Sequence, residues 1–309
     1  MKRKNIAIIG TGGVGGYFAC KFLKNAAAQS SVTLIARGAH YEQIRTHGLQ
    51  LVSPESDGAP LHPDGVFKTI NQMATPDIVL ICVKDYDLDG VLQLLRERIH
   101  QQTVLLPLMN GVDIFSKVKS VFPEHQVLPA CVYVASHLKG PGVVEHKGKP
   151  GIIIAGEDPA FSKADHEWIS QLFVTAGINF TLKPDAWEEI RTKFLFIAAF
   201  GLVTAHFNKS IGNVVEDATL RQTARDLLQE YASILFGSDN IERRVENAFE
   251  RAATFPYDTP TSLQLDVHSG KGPEKNELDL YLRPIIDAGS HENSIAYRLA
   301  GEIRAGLTA

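Results

Sequence analysis

A short apolar run that ends in a cluster of glycines constrains the fold of this chain more than any other feature. Residues 5–9 suit a buried parallel strand, and Gly10, Gly12 and Gly15 follow them in a G-x-G-x-x-G order at the start of a helical pattern. Gly10 permits a tight turn, Gly12 lets the backbone approach a pyrophosphate, and Gly15 lets the helix pack closely on the strand. The segment predicts a dinucleotide-binding turn whose members are Gly10, Thr11, Gly12, Gly13, Val14 and Gly15, with the helix N-terminus directed at the phosphates.

Alternating strand and helix patterns in the first half are typical of a doubly wound parallel sheet. Apolar runs predict strands over 5–9, 31–36, 77–83, 103–108, 132–135, 151–155 and 179–182, with a turn at 140–142. Helices are predicted over 14–27, 39–47, 87–100 and 162–176, and from Pro184 onward over 185–207, 220–236 and 241–255. The sequence therefore predicts an α/β fold with an N-terminal Rossmann-type sheet over residues 1–183. An all-helical C-terminal domain is predicted over residues 184–309.

Composition and charge argue against several classes of protein. The chain has 309 residues and a formal net charge of −4, so a nucleic-acid partner is not expected. Its three scattered cysteines predict buried, reduced thiols in the cytoplasm, and its eleven histidines never fall three or four residues apart, which argues against a helical metal site. The longest apolar run, residues 194–205, is short for a membrane span. The oligomeric state is left open, with a homodimer as one candidate.

The residue after the second predicted strand indicates which dinucleotide is bound. Sites for NAD usually carry a carboxylate there, whereas this chain has Ala36-Arg37-Gly38, with His40 nearby. A guanidinium can bind a 2′-phosphate through two hydrogen bonds, while a carboxylate would repel it. The sequence therefore favours NADP (NADPH), although an ordinary solvated arginine would fit the same pattern.

Lys84 and Asn110 follow two later strands of the predicted sheet. Ligands of open α/β sheets bind beyond the carboxyl ends of the strands. Lys84 is therefore a candidate to meet a cofactor phosphate or a substrate carboxylate, and Asn110 a candidate to hydrogen-bond the reacting region. A solvated lysine and an ordinary Asn-Gly turn are the alternative interpretations.

Lys193 stands on a predicted helix and leads directly into the apolar residues 194–200. If it lines a cleft between the two predicted domains, desolvation would make it a competent proton donor near neutral pH. The alternative is a lysine whose stem covers apolar surface while its ammonium reaches water.

Taken in order, these segments resemble the ketopantoate reductase (2-dehydropantoate 2-reductase) family. The resemblance covers nearly the whole chain and rests on residues 10–16, 34–38, 83–84, 110–112 and 187–193, and on Thr261-Ser262 with Asp266 and a following glutamate. It implies a Rossmann domain followed by a helical domain, with the active site between them. It also implies an NADPH-dependent reduction of a 2-keto acid in pantothenate and coenzyme A synthesis, with Arg37 and Lys84 at cofactor-contacting positions.

The resemblance also implies the roles of the catalytic residues. Lys193 matches the lysine that polarises and protonates the substrate ketone, while the hydride passes from the nicotinamide to the 2-keto carbon. Asn110 matches the asparagine that assists at the reacting end, and Ser262 the serine that helps to bind substrate. The matching glutamate is Glu277 or Glu274. The spacing after Asp266 selects Glu274, whereas the downstream residues select Glu277, which is preferred.

Two positions on the helix of Lys193 depart from the family pattern. Many members carry asparagines there, and this chain has Ile197 and Gly201, which fall on the same helical face as Lys193. Because two polar substrate contacts are replaced, one alternative is a paralogous NADP-dependent reductase of another 2-keto acid or carbonyl compound. A non-enzymatic NADP-binding sensor is a further alternative, which the retained lysine disfavours.

Overall fold

The computed structural model describes residues 3–161, 164, 166–270, 272–289 and 293–308. The chain divides into two compact units, Met1–Glu189 and Ile190–Ala309. The strands of the first unit are β1 (Lys4–Ile9), β2 (Ser30–Ile35), β3 (Gln50–Ser53), β4 (Ser56–Asp57), β5 (Gly65–Phe67), β6 (Ile78–Ile81), β7 (Val104–Pro107), β8 (Ala130–Tyr133), β9 (Ser136–Gly140), β10 (Val143–His146), β11 (Ile152–Gly156) and β12 (Asn179–Lys183). Its helices are α1 (Gly13–Asn25), α2 (Gly38–His47), α3 (Asp85–Leu95), α4 (Ile114–Val121) and α5 (Glu167–Thr175).

The central sheet of the first unit is parallel and has the strand order β5-β2-β1-β6-β7. Its middle strands are continuous apolar runs because helices cover both faces of such a sheet. In β1 the residues Ile6 to Ile9 are all buried, as are all four residues of β6 and of β7. The predicted fold class, a Rossmann-type parallel sheet followed by helices, is confirmed.

Two smaller sheets complete the first unit. One has the order β4-β3-β10-β9 and lies against α1, and the other has the order β12-β11-β8. In the first of them β10 runs parallel to β3, with Val144 opposite Leu51. The turn at 140–142 therefore joins β9 to β10, two strands that the sequence patterns did not predict, instead of joining the predicted strands over 132–135 and 151–155. The helix predicted to start at Ser162 has its first residues, Ser162 and Lys163, outside the described residues, and α5 begins at Glu167.

The second unit is helical throughout the residues that the structure describes. Its helices are α6 (Trp187–Phe207), whose first residues belong to the first unit, α7 (Ile211–Glu216), α8 (Ala218–Phe236), α9 (Ile241–Ala252), α10 (Ser262–Val267), α11 (Leu278–Asp287) and α12 (Ile295–Thr308). The ring of Phe194 on α6 contacts Tyr231 of α8 and Tyr281 of α11, with centroid distances of 6.1 and 6.0 Å. Tyr231 also donates a hydrogen bond from its hydroxyl to the Tyr281 carbonyl oxygen at 2.9 Å.

Helix α6 is apolar on nearly all its sides, which is typical of a helix at the centre of a bundle. The apolar run over 194–205 is part of this longer helix, which by length and composition alone could cross a membrane. However, 72% of its most apolar window is buried within the protein. Core helices of soluble proteins share this property, so α6 is weak evidence for a membrane span.

Candidate functional site

The three glycines of the G-x-G-x-x-G turn between β1 and α1 have different surroundings. Gly10 has a φ of +87°, and a Cβ atom there would lie 2.6 Å from the Cys82 carbonyl oxygen. A Cβ on Gly15 would lie 2.0 Å from the carbonyl oxygen of Gly10, so only glycine lets the helix approach the strand. A Cβ on Gly12, in contrast, would meet none of the described atoms within 4 Å. Gly12 therefore leaves open space above the backbone.

The start of α1 can bind an anion at this open space. Gly12 is the N-cap, and glycine has no side chain to accept hydrogen bonds from the first N–H groups of the helix. Thr11 is buried, and its hydroxyl finds no hydrogen-bond partner within the described parts of the chain. Unmatched donors beside a positive helix end suit the pyrophosphate of a dinucleotide. The residues present in the turn thus fit the cofactor that the sequence favours.

Two further glycines of the turn accommodate the second sheet. A Cβ on Gly13 would lie 2.3 Å from the Ser136 carbonyl oxygen in β9, and one on Gly16 would lie 2.5 Å from a methyl group of Val144 in β10. Sequence reasoning did not find this contact between the turn and the second sheet. The signal was present, because Gly13 and Gly16 are extra to the G-x-G-x-x-G pattern.

His40 links the glycine turn to the β9–β10 turn. Its Nδ1 accepts a hydrogen bond from the Gly142 N–H at 2.8 Å, so its Nε2 carries the proton and donates to the Thr11 carbonyl oxygen at 2.8 Å. Burial lowers the pKa of His40, although the bond to Thr11 opposes this shift. The imidazole is therefore neutral at physiological pH. The sequence placed His40 near the cofactor residues without indicating these bonds.

The remaining cofactor candidates of the first unit lie along one edge of the central sheet. Arg37 follows β2, the glycine turn follows β1, Lys84 follows β6 and Asn110 follows β7, and these four strands are neighbours in the order β2-β1-β6-β7. Lys84 is the half-buried N-cap of α3. Asn110 is half-buried and precedes Gly111, whose φ is +121°.

Arg37 makes an ion pair that the sequence did not reveal. Its Nη2 lies 2.5 Å from Oδ2 of Asp87 and its Nη1 lies 3.2 Å from Oδ1, so the guanidinium and the carboxylate share two hydrogen bonds. This partner raises the pKa of the Arg37 guanidinium. Asp87 lies in the first turn of α3, fifty residues further along the chain, and a local pattern could not show the pair.

In the second unit, Lys193, Ile197 and Gly201 all lie on α6. Lys193 and Ile197 are half-buried, while Gly201 is buried. A Cβ on Gly201 would lie 3.6 Å from the Cβ of Leu263, the residue after Ser262. Below this contact the hydroxyls of Thr204 and Thr261 are 2.7 Å apart. Helix α6 therefore meets α10 through an apolar contact at Gly201 and a polar contact at Thr204.

The two candidate glutamates differ in their environment. Glu277 is the N-cap of α11 and is 5% exposed, whereas Glu274 is exposed in the short 3₁₀ helix Pro273–Lys275. The contact between Phe194 and Tyr281 places Lys193 and Glu277 on two helices that pack together. Ser262 is the exposed first residue of α10, whose N-cap is Thr261, and Asp266 on the same helix is buried.

Metal ligands do not cluster in the part of the chain that the structure describes. No group of three or more histidine, cysteine, aspartate or glutamate side chains there could hold an ion. Cys20, Cys82 and Cys131 are free thiols, and burial raises the pKa of Cys20 to about 12. This thiol is therefore uncharged near neutral pH.

Known proteins match the chain along most of its length. The family model described as "Ketopantoate reductase PanE/ApbA" matches residues 6–159, and its C-terminal counterpart matches residues 185–291. Among curated relatives, an uncharacterized oxidoreductase, YkpB of Bacillus subtilis, is 25% identical over 281 residues, which cover 89% of each chain. A 2-dehydropantoate 2-reductase of Mesorhizobium japonicum is 24% identical over 250 residues, covering 74% of this chain and 75% of the relative.

A solved structure extends the match to the complete chain. The 2-dehydropantoate 2-reductase of Porphyromonas gingivalis W83 superposes with a TM-score of 0.77 at 25% identity and covers 100% of both chains. With both family models matched, the chain belongs to the ketopantoate reductase family and is an NADP-dependent 2-keto acid reductase.

Proposed function

We propose that this chain is a cytoplasmic 2-dehydropantoate 2-reductase, which reduces ketopantoate to pantoate with NADPH in pantothenate synthesis. The main support for the cofactor is the open space above Gly12 at the N-terminus of α1. Arg37, at the end of the neighbouring strand, supplies the cation that a 2′-phosphate requires. The curated relatives named 2-dehydropantoate 2-reductase support the substrate.

The reaction needs a hydride and a proton. When bound, NADPH supplies the hydride, which adds to the 2-keto carbon and turns the C=O double bond into a C–O single bond. Lys193 gives its ammonium proton to that oxygen and stabilises the negative charge that develops on it. A half-buried lysine on an apolar helix is suited to this role, because little water screens its charge.

Three side chains hold the substrate in this proposal. Glu277 accepts a hydrogen bond from the substrate hydroxyl, Ser262 donates to the substrate, and Asn110 orients the reacting end. The burial of Glu277 supports it over Glu274, which is exposed. Steady-state kinetics of Glu277→Gln and Glu274→Gln distinguish the two glutamates, because glutamine has nearly the same size and shape as glutamate but no charge. We expect Glu277→Gln alone to raise KM for the keto acid and lower kcat.

A reductase of another 2-keto acid is the second candidate. Ile197 and Gly201 make the face of α6 near Leu263 apolar, and such a face suits a substrate with an alkyl or aryl group in place of polar contacts. The cofactor and the proton donor remain the same in this candidate.

NADPH oxidation, followed by loss of the reduced nicotinamide absorbance, tests both candidates. The panel contains ketopantoate, a smaller 2-keto acid and a bulkier aryl 2-keto acid, each with NADPH and with NADH. We expect the highest kcat/KM with ketopantoate and NADPH. Faster turnover of another acid would replace ketopantoate with that substrate class. Tight NADPH binding with no turnover of any keto acid would contradict the enzymatic role proposed for Lys193.

A further inference from the structure

We propose that Asp87 tunes the cofactor preference of this chain by competing with the 2′-phosphate of NADPH for Arg37. The inference rests on the proposed function, because it takes NADPH as the cofactor. In this proposal Asp87 opposes NADPH binding and thereby reduces the difference in affinity between NADPH and NADH.

The ion pair spans the place where the cofactor is proposed to bind. Arg37 follows β2, and Asp87 lies in the first turn of α3, which follows β6. In the central sheet β1 lies between β2 and β6. The Arg37–Asp87 pair therefore bridges the carboxyl end of β1, where the glycine turn begins.

The Asp87 carboxylate already accepts hydrogen bonds from the Arg37 N–H groups that a bound phosphate would need. The two Asp87 carboxylate oxygens accept hydrogen bonds from Nη2 and Nη1 of Arg37, at 2.5 and 3.2 Å. Arginine binds a phosphate with the same bidentate geometry. A phosphate that approaches Arg37 must displace Asp87 or share the guanidinium with it. Because the Asp87 side chain is only 25% exposed, water screens the repulsion between the two anions incompletely.

Asp87 has the opposite effect on NADH. The adenosine ribose of NADH carries a free 2′-hydroxyl, and a carboxylate accepts hydrogen bonds from ribose hydroxyls. Asp87 can thus accept a hydrogen bond from NADH at the same edge of the sheet where its charge competes with the 2′-phosphate of NADPH. The pair of residues, and not Arg37 alone, sets the preference.

Direct binding tests the proposal without any keto acid. Wild type and Asp87→Asn are titrated with NADPH and with NADH at fixed ionic strength, and Kd is read from calorimetry. We expect the variant to bind NADPH about three- to tenfold more tightly, the size expected for release of a partly exposed ion pair together with loss of repulsion. Its Kd for NADH should stay the same or rise. Asp89→Asn is the matched control, because Asp89 is an exposed residue of the same helix and the change in net charge is identical.

Three results would overturn the proposal. Weaker NADPH binding by Asp87→Asn would mean that Asp87 orients Arg37 for the phosphate. Equal shifts for both cofactors, or equal shifts in Asp87→Asn and Asp89→Asn, would reduce the effect to net charge. If the effect passes through Arg37, the double variant Arg37→Ala/Asp87→Asn binds NADPH as Arg37→Ala does. A wild-type chain that binds NADPH without reducing ketopantoate would contradict the proposed substrate and leave this inference standing.

Discussion

Gly15 packs so closely on Gly10 that a Cβ atom on Gly15 would lie 2.0 Å from the Gly10 carbonyl oxygen. The Cβ position of Gly12, three residues earlier, faces open space. The same substitution at the two positions should therefore have separable effects, one on the fold and one on the cofactor.

Gly15→Ala should destabilise the protein, and Gly12→Ala should weaken its cofactor binding. Overpacking at Gly15 costs about 1–3 kcal/mol or more of unfolding free energy. At Gly12 the added methyl group occupies the space proposed for the pyrophosphate, so we expect an NADPH Kd at least about tenfold higher with unfolding within about 1 kcal/mol of wild type. Urea unfolding and NADPH titration measure the two effects. Normal NADPH affinity in Gly12→Ala would remove this turn from the cofactor site.

Arg37→Ala should weaken NADPH binding much more than NADH binding. The guanidinium is the proposed partner of the 2′-phosphate, which NADH lacks. We expect Kd for NADPH to rise about tenfold or more and Kd for NADH to change little, measured by calorimetry. Equal losses with both cofactors would show that Arg37 does not meet the 2′-phosphate.

Lys193→Ala should lower kcat strongly and leave NADPH binding nearly unchanged. Removal of a general acid lowers kcat by about 10²–10⁴-fold, while NADPH binds to residues of the first unit in the proposed function. Steady-state kinetics with the best keto acid, together with NADPH titration, separate the two effects. Lys209→Ala is the control, because Lys209 is an exposed lysine of the same unit and its loss should leave kcat unchanged. Substantial activity in Lys193→Ala would exclude Lys193 as the proton donor.

Asp158→Ala should destabilise the protein far more than loss of an exposed ion pair in the same unit. Asp158 is 1% exposed, its Oδ2 lies 2.7 Å from the Lys119 Nζ, and it accepts hydrogen bonds from two backbone N–H groups, those of Val127 and Ala160. Truncation leaves a cation and two donors without their acceptor, at a cost of about 3–5 kcal/mol. Glu42→Ala breaks an ion pair with Lys68 that is 51% exposed at Glu42, so water screens it and its loss should lower the stability far less. Similar urea midpoints for the two variants would contradict this ranking.

Stability should fall as the pH drops below the ordinary histidine pKa of 6.5, and His40 should contribute to the fall. Because burial lowers the pKa of His40, the unfolded chain takes up this proton before the folded chain does, and the stabilisation present above pH 6.5 is lost on acidification. His40→Gln removes the titrating group, so its unfolding free energy should decline less between pH 7.5 and the acid range. A residual decline remains from His125, whose pKa burial also lowers. Identical pH profiles would rule out a neutral, buried His40.

The parts of the fold that the sequence predicts are those with a continuous local pattern. Residues Ile6 to Ile9 of β1 and all residues of β6 and β7 are buried and form apolar runs in the sequence, and the glycine turn has a characteristic spacing. Strand β9 is half-exposed and polar, so no alternation of apolar and polar residues marks it. Short helices such as α7 depend on end contacts, here a reciprocal capping pair between Ser210 and Asn213.

The candidate site divides in the same way. The positions of the glycines and Arg37 at strand ends could be predicted because apolar runs before them mark the strands, and their cofactor roles stay predictions. The contacts of Asp87 with Arg37 and of Ser136 with Gly13 could not be predicted, because each joins distant parts of the chain through tertiary packing. The sequence already preferred Glu277 to Glu274, but the difference in burial between the two glutamates could not be read from their spacing.

The parallel pairing of β10 with β3 affects the order in which the first unit folds. Ser53 and His146, joined by a hydrogen bond across this pair, are 93 residues apart in the chain. Closing such a long loop is slow, because its entropy is lost before any contact is gained. During synthesis, the glycine turn emerges early but receives its contacts from β9 and β10 only after residue 146 has left the ribosome. The nascent chain can therefore complete its central sheet before the glycine turn gains all its contacts.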